Sequence, residues 1–245
     1  MLVLAVESAT DTAGVALADE DGVLGSVVVA RGRRHTESIA PAIDTLCRRT
    51  GVTLADLDMV GVDVGPGLFT GLRVGVGTVK ALAFALDVPV VTATSLEVLA
   101  HAVASSGATD GRLLVPVVDA RRGEVFSARF RADPGPLADG TPDAVWAPEA
   151  LAADLAGAGP LVLAGDGARR YREVFGALPE VVLAGPGWGA PPVGALAELC
   201  VARACAGLTH DGASVMPRYL RQADARINWE QRRPPRSAAA AGDRR

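Results

Sequence analysis

The chain of 245 residues is 49% hydrophobic and 21% charged, which is enough apolar material for a large core and excludes a disordered polypeptide. Its 28 glycines and 16 prolines show no triplet period, which excludes a collagen-like repeat. The net charge of −4 is uneven, because residues 221–245 carry +4 and the first 220 residues carry −8. A body of that charge does not attract nucleic acid as a whole, so only the arginine-rich tail could contact a phosphate backbone.

Composition also bears on the compartment. The longest uncharged stretch, Val181–Ala197, has 17 residues with four glycines and three prolines, so we expect no membrane-spanning helix. The first apolar run has no basic region before it and is interrupted at Glu7, which does not fit a signal peptide. The three cysteines form no C-x-x-C pair, so neither a disulfide framework nor a cysteine zinc site is expected. We expect a cytoplasmic protein.

Three strands joined by tight turns are predicted at the start of the chain, because apolar runs alternate with small polar residues there. Further along, Thr94 and Glu97 form a capping box that marks a helix start. In chain order we predict strands over 2–6, 14–18 and 23–30, a helix over 36–49, a strand over 61–64, a helix over 72–86, a strand over 88–93 and a helix from about 94 to 105.

A polar segment over 105–111 is the best domain boundary, since the sequence after it repeats the opening in outline. In this second half we predict helices near 148–155, 168–175 and 193–206, strands near 161–164 and 181–183, and a last short strand in 215–221. The order predicts an α/β protein with two lobes, 1–106 and 107–220, and a disordered Arg-rich tail over 221–245.

Two glycine- and hydroxyl-rich segments are candidates for phosphate binding. Backbone N–H groups and hydroxyls in a tight turn suit phosphate oxygens, and a helix N-terminus favours an anion. Neither a Walker A loop nor a G-x-G-x-x-G motif is present, and both segments also suit ordinary turns. The candidate residues are Thr10, Asp11 and Thr12 in the opening turn, and Gly65, Gly67, Thr70, Gly71 and Arg73 in the second segment.

The helix after the second segment contains Gly71, Gly75 and Gly77, and each internal glycine costs about 1 kcal/mol relative to alanine. Close helix–helix contact is the obvious reason, either within the fold or with a partner subunit. The earlier helix has Ile39, Ile43 and Leu46 on one face and could join it in a bundle.

No constellation of catalytic side chains stands out. The three histidines, His35, His101 and His210, are too far apart in sequence for a metal-binding pair, and no G-x-S-x-G elbow occurs. The turn Asp119–Glu124 carries two arginines that could hold a phosphate or carboxylate, although a solvated hairpin tip is the more ordinary interpretation.

Several blocks together resemble the bacterial TsaB (YeaZ) family over residues 1–220. These blocks are MLVLAVESATDTAGVAL, RHTESIAPAID, GPGLFTGLRVGVGTVKALAFALDVPVVTATSLEVLA, DARRGEVFSARF and PRYLR. The resemblance implies the duplicated fold of actin, Hsp70 and sugar kinases, with two βββαβα-type lobes of which the second is reduced.

The resemblance further implies a non-catalytic, activating subunit of the complex that forms N6-threonylcarbamoyladenosine in tRNAs reading ANN codons. Such a subunit pairs with TsaD and TsaE, dimerises when alone, meets tRNA through the complex and holds no cofactor tightly, with ATP or ADP only in the complex. Docking through the first two helices would use His35, Ile39, Ile43, Leu46, Leu72, Gly75, Val76 and Val79.

Three positions separate this chain from catalytic relatives, and a fourth, Leu68, departs from many TsaB sequences toward the residue typical of TsaD. TsaD carries a metal-binding H-x-E-G-H segment, and Ser95 and Leu99 stand where its histidines would be. Glu7 stands where most ATPases of the superfamily have aspartate, and Leu68 stands where many TsaB sequences have serine. An autonomous small-molecule kinase or ATPase of the same fold is the alternative function, and a metallopeptidase or direct tRNA binding through the tail are further ones.

Overall fold

The computed structural model describes residues 1–30, 35–107, 109, 111–131 and 140–221, without the side chains of residues 35 and 36. The predicted role of His35 as an interface side chain therefore lies outside the described residues. The predicted tail lies outside them too, from residue 222 onward.

The first sheet has five strands, with the antiparallel β3–β2–β1 followed by β4 and β5 parallel to β1. Every residue of β1 is buried, because Leu4 and Val6 pack under the helices on one face while Val3 and Ala5 face a helix on the other. The elements are β1 (Val3–Glu7), β2 (Ala13–Asp19), β3 (Gly22–Val29), α1 (His35–Thr50), β4 (Met59–Asp63), α2 (Phe69–Leu86), β5 (Val90–Ala93) and α3 (Ser95–Ser105).

The second sheet repeats the order of the first. Its central strands run β9–β7–β6–β10–β11, with β8 paired to β6, and this is the arrangement β3–β2–β1–β4–β5 again. The elements are β6 (Leu113–Arg121), β7 (Glu124–Ser127), β8 (Phe130–Arg131), β9 (Ala144–Trp146), α4 (Pro148–Leu155), β10 (Leu161–Ala164), α5 (Asp166–Arg170), α6 (Arg172–Phe175), β11 (Val181–Leu183) and α7 (Val193–Cys205). The predicted α/β class and duplicated fold are confirmed.

Helix α3 lies between the two sheets, with Val98 packed toward the first and Leu96 and Leu99 packed toward the second. The predicted capping box at its start is confirmed. The Thr94 hydroxyl accepts from the Glu97 N–H at 3.2 Å, and the Glu97 carboxylate accepts from the Thr94 N–H at 2.7 Å.

Three predicted elements differ from the structure. Helix α2 begins at Phe69 rather than residue 72, and the predicted helix over 168–175 is two short helices that meet at Tyr171. The predicted strand in 215–221 is wrong: no strand is present there, and Pro217 has no N–H for a ladder. The chain here lies beside α2 instead. The Lys80 ammonium of α2 donates to the carbonyls of Ala213 at 2.9 Å and Val215 at 3.1 Å.

Helix α7 falls in the range predicted for the second lobe, yet it packs on the first sheet. Val193, Leu196 and Cys200 are fully or nearly fully buried in the cluster that contains Val3 and Ala5. The predicted second lobe, residues 107–220, therefore does not match the packing at its C-terminal end. There the chain crosses back, and α7 covers the first sheet.

Helix α2, with 18 residues, is the one helix among the described residues that is long and apolar enough to cross a membrane. It packs on the sheet through one side, where Val76 and Val79 belong to the core cluster of the first lobe. Core helices of globular proteins meet the same criteria of length and composition, so the finding carries no membrane assignment.

Candidate functional site

The candidate site lies where two parallel strands of the first sheet end. Val6 of β1 is opposite Val62 of β4, so the next residues, Glu7 and Asp63, emerge side by side at the same edge. Both carboxyl groups are buried, with 1% of Glu7 and 0% of Asp63 exposed. Two carboxylates in such a buried position cannot both carry a full charge without a large penalty.

One oxygen of each carboxyl group is held by the backbone. Glu7 Oε1 accepts from the Ala9 N–H at 2.7 Å, and Asp63 Oδ1 accepts from the Gly65 N–H at 2.7 Å and from Ser95 Oγ at 2.9 Å. The other oxygens, Glu7 Oε2 and Asp63 Oδ2, have no donor among the described groups if both carboxyls are ionised. A single proton held between them satisfies both.

The proton belongs on Glu7. Burial, followed by the charge of Asp63, raises the pKa of Glu7 well above its ordinary value, and the two side chains hydrogen-bond to each other. Burial also raises the pKa of Asp63, but hydrogen bonds from Glu7, Gly65 and Ser95 oppose that effect. Of the two, Glu7 is the better placed to hold the shared proton, because Asp63 accepts two other hydrogen bonds and Glu7 accepts one.

The opening turn and the glycine-rich loop, predicted separately as phosphate-binding segments, pack directly on each other. The Leu68 N–H donates to the Ala9 carbonyl at 2.7 Å, and Ser8 Oγ donates to the Gly71 carbonyl at 2.9 Å. Gly67 has no room for a side chain, because a Cβ there would lie 2.2 Å from the Ala9 carbonyl oxygen. The sequence therefore uses glycine at 67 for backbone contact.

The predicted phosphate-binding side chains do not converge on one point. Thr10 is buried and Thr12 partly buried, and the Thr10 hydroxyl accepts from the Thr12 N–H at 3.3 Å. Gly65 and Gly71 are buried, whereas Thr70 and Arg73 are exposed at the start of α2. The Arg73 guanidinium lies 3.9 Å from the Phe69 ring centre and donates to the Tyr219 hydroxyl at 3.1 Å, which fixes it on the outer side of the helix.

Asp11 is bound by an arginine from the second lobe. Arg121 Nη2 donates to Asp11 Oδ2 at 2.8 Å, and Arg121 Nη1 and Arg170 Nη1 lie 3.1 and 3.2 Å from Asp119 Oδ2. The hydrogen bond that Arg121 donates to Asp11 raises the pKa of Arg121. The turn that was interpreted as a solvated hairpin tip thus reaches across to the opening turn and joins the two lobes.

The outer surface of α1 and α2, the two helices predicted to contact a partner, does not contain the residues predicted for that contact. The aliphatic residues Ile39, Ile43, Leu46, Leu72, Val76 and Val79 are all 6% exposed or less, and Gly75 is also buried. They pack against the sheet and each other inside this chain, so the prediction that they contact a partner is corrected. Arginine at Gly75 would disrupt the fold itself, since even a Cβ there would lie 2.3 Å from Ser8 Oγ.

The segment compared with the metal-binding motif is used for internal contacts. Ser95 donates to Asp63, Leu99 is fully buried, and Glu97 accepts from Arg203 Nη2 at 2.7 Å. Within the described parts of the chain, no group of three or more histidine, cysteine, aspartate or glutamate side chains is placed to hold a metal.

Sequence reasoning missed the partner of Glu7. Asp63 lies inside the strand predicted over 61–64 and was assigned no role, yet it ends an apolar run just as Glu7 and Asp119 do. An acid that closes an apolar parallel strand was the available signal, because such ends meet at one edge of a sheet.

Comparison with known proteins places these features in a family. The family model for TsaD, tRNA N6-adenosine threonylcarbamoyltransferase, matches residues 10–180. The chain is 36% identical over 143 residues to the Bacillus subtilis tRNA threonylcarbamoyladenosine biosynthesis protein TsaB, which covers 58% of this chain and 61% of that protein. It is 34% identical over 134 residues to TsaB of Escherichia coli, covering 54% of this chain and 56% of that protein.

The chain thus spans roughly 60% or less of the length of these curated relatives. A solved structure of YeaZ from Pseudomonas aeruginosa has 27% identity and a TM-score of 0.78, over 89% of this chain and 99% of that one. The ethanolamine utilization protein EutJ from Carboxydothermus hydrogenoformans, at 11% identity and TM-score 0.51 over 80% of this chain and 90% of that one, shares the fold alone. Because the family model matches more than half of the chain, the chain belongs to the TsaD-type family of that model. The named relatives place it among the TsaB (YeaZ) members of this family.

Proposed function

We propose that this chain is a non-catalytic, activating subunit for the formation of N6-threonylcarbamoyladenosine in tRNA, acting with TsaD and TsaE. The observation that carries the proposal is the state of Ser95 and Leu99, which stand at the positions compared with the metal ligands of TsaD. One donates to Asp63 and the other is fully buried, so neither is available as a ligand.

In a kinase of this fold, a nucleotide would bind at the edge of the sheet that carries Glu7 and Asp11. Here these side chains also make contacts within the chain. Glu7 holds a proton against Asp63, and Asp11 is paired with Arg121. A protonated acid is a poor ligand for magnesium or its waters, and a paired carboxylate has to lose its arginine first. These contacts support a scaffold role over catalysis by this chain.

A partner surface is available on the outer side of the same two helices. On α1, Ala40, Pro41 and Asp44 are exposed, and on α2 the exposed residues include Gly77, Ala81 and Phe84. Phe84 is 90% exposed and borders a groove of about 620 Å³ formed by the end of α2 and residues 209–213. An aromatic side chain so exposed is typical of an interface anchor. We propose that TsaD, or a second copy when TsaD is absent, docks on this outer side.

Reconstitution tests the function. Purified TsaD, TsaE, threonylcarbamoyl-adenylate and tRNA are expected to form the modified nucleoside at a far higher rate with this protein than without it. Nucleoside analysis by mass spectrometry measures the product. Equal rates with and without the protein, or product formed by the protein alone, would contradict the proposal.

The interface has its own test. Gly77→Arg is expected to abolish co-purification with TsaD while leaving the chain folded, because a Cβ at 77 has nothing within 4 Å. Gly157→Arg is the matched control, since Gly157 in the second lobe is equally open. Size-exclusion chromatography reads the complex and circular dichroism reads the fold. Equal retention of TsaD by both variants would remove the outer side of α2 from the interface.

An autonomous kinase or ATPase remains the second candidate, because the opening turn and the glycine-rich loop do meet at one edge of the sheet. Turnover of ATP by the purified chain alone would favour it. ATP or ADP binding only in the complex, a cytoplasmic location and tRNA contact through the complex stay predictions, and direct tRNA binding through the tail stays an alternative.

A further inference from the structure

The turn between β6 and β7 has a backbone that its sequence does not favour. Arg121 and Arg122 have φ angles of 63° and 55°, and Gly123 has a φ of 81°. This left-handed region suits glycine, asparagine and aspartate, whereas an arginine there is strained. A hairpin turn that only reverses the chain is better built from asparagine and glycine. An arginine in this turn therefore needs a side-chain role that offsets the strain.

The side chain of Arg121 has such a role. Its Nη1 donates to Asp119 Oδ2 at 3.1 Å within the second lobe, and its Nη2 donates to Asp11 Oδ2 at 2.8 Å in the opening turn of the first lobe. The side chain of Asp119 is buried, which fixes one end of the guanidinium. The side chains of Arg121 and Asp11 are 39% and 45% exposed, so their ion pair adds little to the free energy of unfolding. Its effect is to hold the opening turn in place.

The start of α2 packs on this opening turn. The Leu68 N–H, just before the helix, donates to the Ala9 carbonyl at 2.7 Å, and Ser8 Oγ donates to the Gly71 carbonyl at 2.9 Å. Ser8 and Ala9 are completely buried, so a displacement of the opening turn would displace the first turn of α2 with it. The position of α2 at this end therefore depends on a contact made by the second lobe.

A second connection joins the same end of α2 to the same part of the second lobe. The Tyr219 ring packs against the Phe69 ring at the start of α2, with the ring centres 4.9 Å apart. Two residues further on, Arg221 Nη1 lies 3.1 Å from Glu124 Oε2 and donates to the Ala120 carbonyl at 3.4 Å. Both connections end at the turn between β6 and β7, so this turn holds the start of α2 from two sides.

We propose that Arg121 is a positioning residue for the partner surface of α2, because it holds the opening turn on which that helix packs. The inference rests on the proposed function, in which TsaD docks on the outer side of α1 and α2, and it gives the second lobe a part in that docking. A surface that is fixed before binding loses less conformational freedom when the partner docks. Arg121 thus raises the affinity for TsaD by acting through α2.

Arg121→Asn separates the effect of the side chain from that of the backbone. Asparagine suits the left-handed conformation but is too short to reach Asp11, so the melting temperature is expected to stay the same or rise. Hydrogen exchange in the free chain is expected to become about two- to fivefold faster at the Leu68 and Leu72 amides, the factor that corresponds to a surface ion pair. The Val88 amide, which is hydrogen-bonded at the other end of α2, should not change.

Two further variants make the result specific to one contact. Asp11→Asn removes the other half of the ion pair, and the double variant is expected to behave like either single one, because both changes act through the same contact. Glu180→Asn is the matched control, since Glu180 is another exposed second-lobe residue with a positive φ, of 53°. It should leave amide exchange at α2 unchanged.

The affinity for TsaD tests the connection to docking. Arg121→Asn and Asp11→Asn are each expected to raise the dissociation constant, measured by isothermal titration calorimetry, about two- to fivefold, while Glu180→Asn has no effect. Unchanged exchange at Leu68 and Leu72 would overturn the role of Arg121 in holding α2. Faster exchange with an unchanged dissociation constant would overturn its role in docking and leave the TsaD interface standing. A wild type that does not bind TsaD would contradict the proposed function itself, and the exchange data would still decide whether Arg121 holds α2.

Discussion

Replacing Gly75 with alanine is expected to lower the free energy of unfolding by about 2–4 kcal/mol, through overpacking and a lost buried hydrogen bond. A Cβ at 75 would lie 2.3 Å from Ser8 Oγ, and Ser8 is completely buried. The serine would have to turn away from the Gly71 carbonyl, to which it donates at 2.9 Å. The opening turn would then lose its attachment to α2.

Gly77→Ala is the matched control in the same helix, two residues away. Nothing lies within 4 Å of a Cβ there. Alanine is the better helix former, so the variant is expected to be as stable as the wild type or more stable by up to about 1 kcal/mol. Urea denaturation of the three proteins measures the difference. Equal effects at the two positions would show that α2 does not pack on Ser8 as described.

Removing the side chain of Glu7 is expected to cost about 3–5 kcal/mol of stability, because Glu7→Ala leaves a buried charge on Asp63 without its donor. Glu7→Gln is expected to cost much less. Its amide can donate to Asp63 Oδ2 while its oxygen accepts from the Ala9 N–H.

The pH dependence separates a shared proton from simple packing. The pKa of Glu7 in the fold lies above its ordinary value of 4.5, so its contribution to stability is complete below that value and is lost as the pH rises through the raised pKa. The wild type should therefore lose stability toward alkaline pH, and Glu7→Gln should lose less. The nearby Glu97 and Asp143 are acidic as well, and the part of the slope that belongs to Asp63 remains in the variant.

This effect is measured by the urea midpoints of unfolding between pH 5 and pH 9. The proteins compared are the wild type, Glu7→Gln and the exposed control Glu149→Gln. The control should follow the wild type. Parallel curves for the wild type and Glu7→Gln would mean that both buried carboxyls are ionised throughout, contrary to the geometry.

The elements of the fold were largely predictable because their signals are local. Continuous apolar runs such as Leu2–Val6 predict strands that are buried on both faces, and the Thr94–Glu97 box determines where α3 begins. The split of the predicted helix at Tyr171 had no local signal in the sequence. The absent strand at 215–221 did have one, because Pro217 cannot donate to a strand ladder.

The candidate site was predictable only in part. Periodicity indicated that Ile39, Ile43 and Leu46 share a face. It did not indicate whether that face packs on the sheet or on a partner, since both kinds of contact favour apolar residues. The Asp11–Arg121 and Glu7–Asp63 contacts join residues that are 110 and 56 positions apart. Such pairs depend on how the strands are ordered, which no local pattern encodes.

The return of α7 to the first sheet has a consequence for biosynthesis. The side of that sheet which carries Val3 and Ala5 has its cover in residues 193–205, which are translated only after the strands β6 to β11 of the second sheet. The N-terminal half therefore cannot finish burying its apolar surface while it is being translated. Its completion waits until helix α7 has been synthesised, so the first sheet stays partly uncovered while the second one is translated.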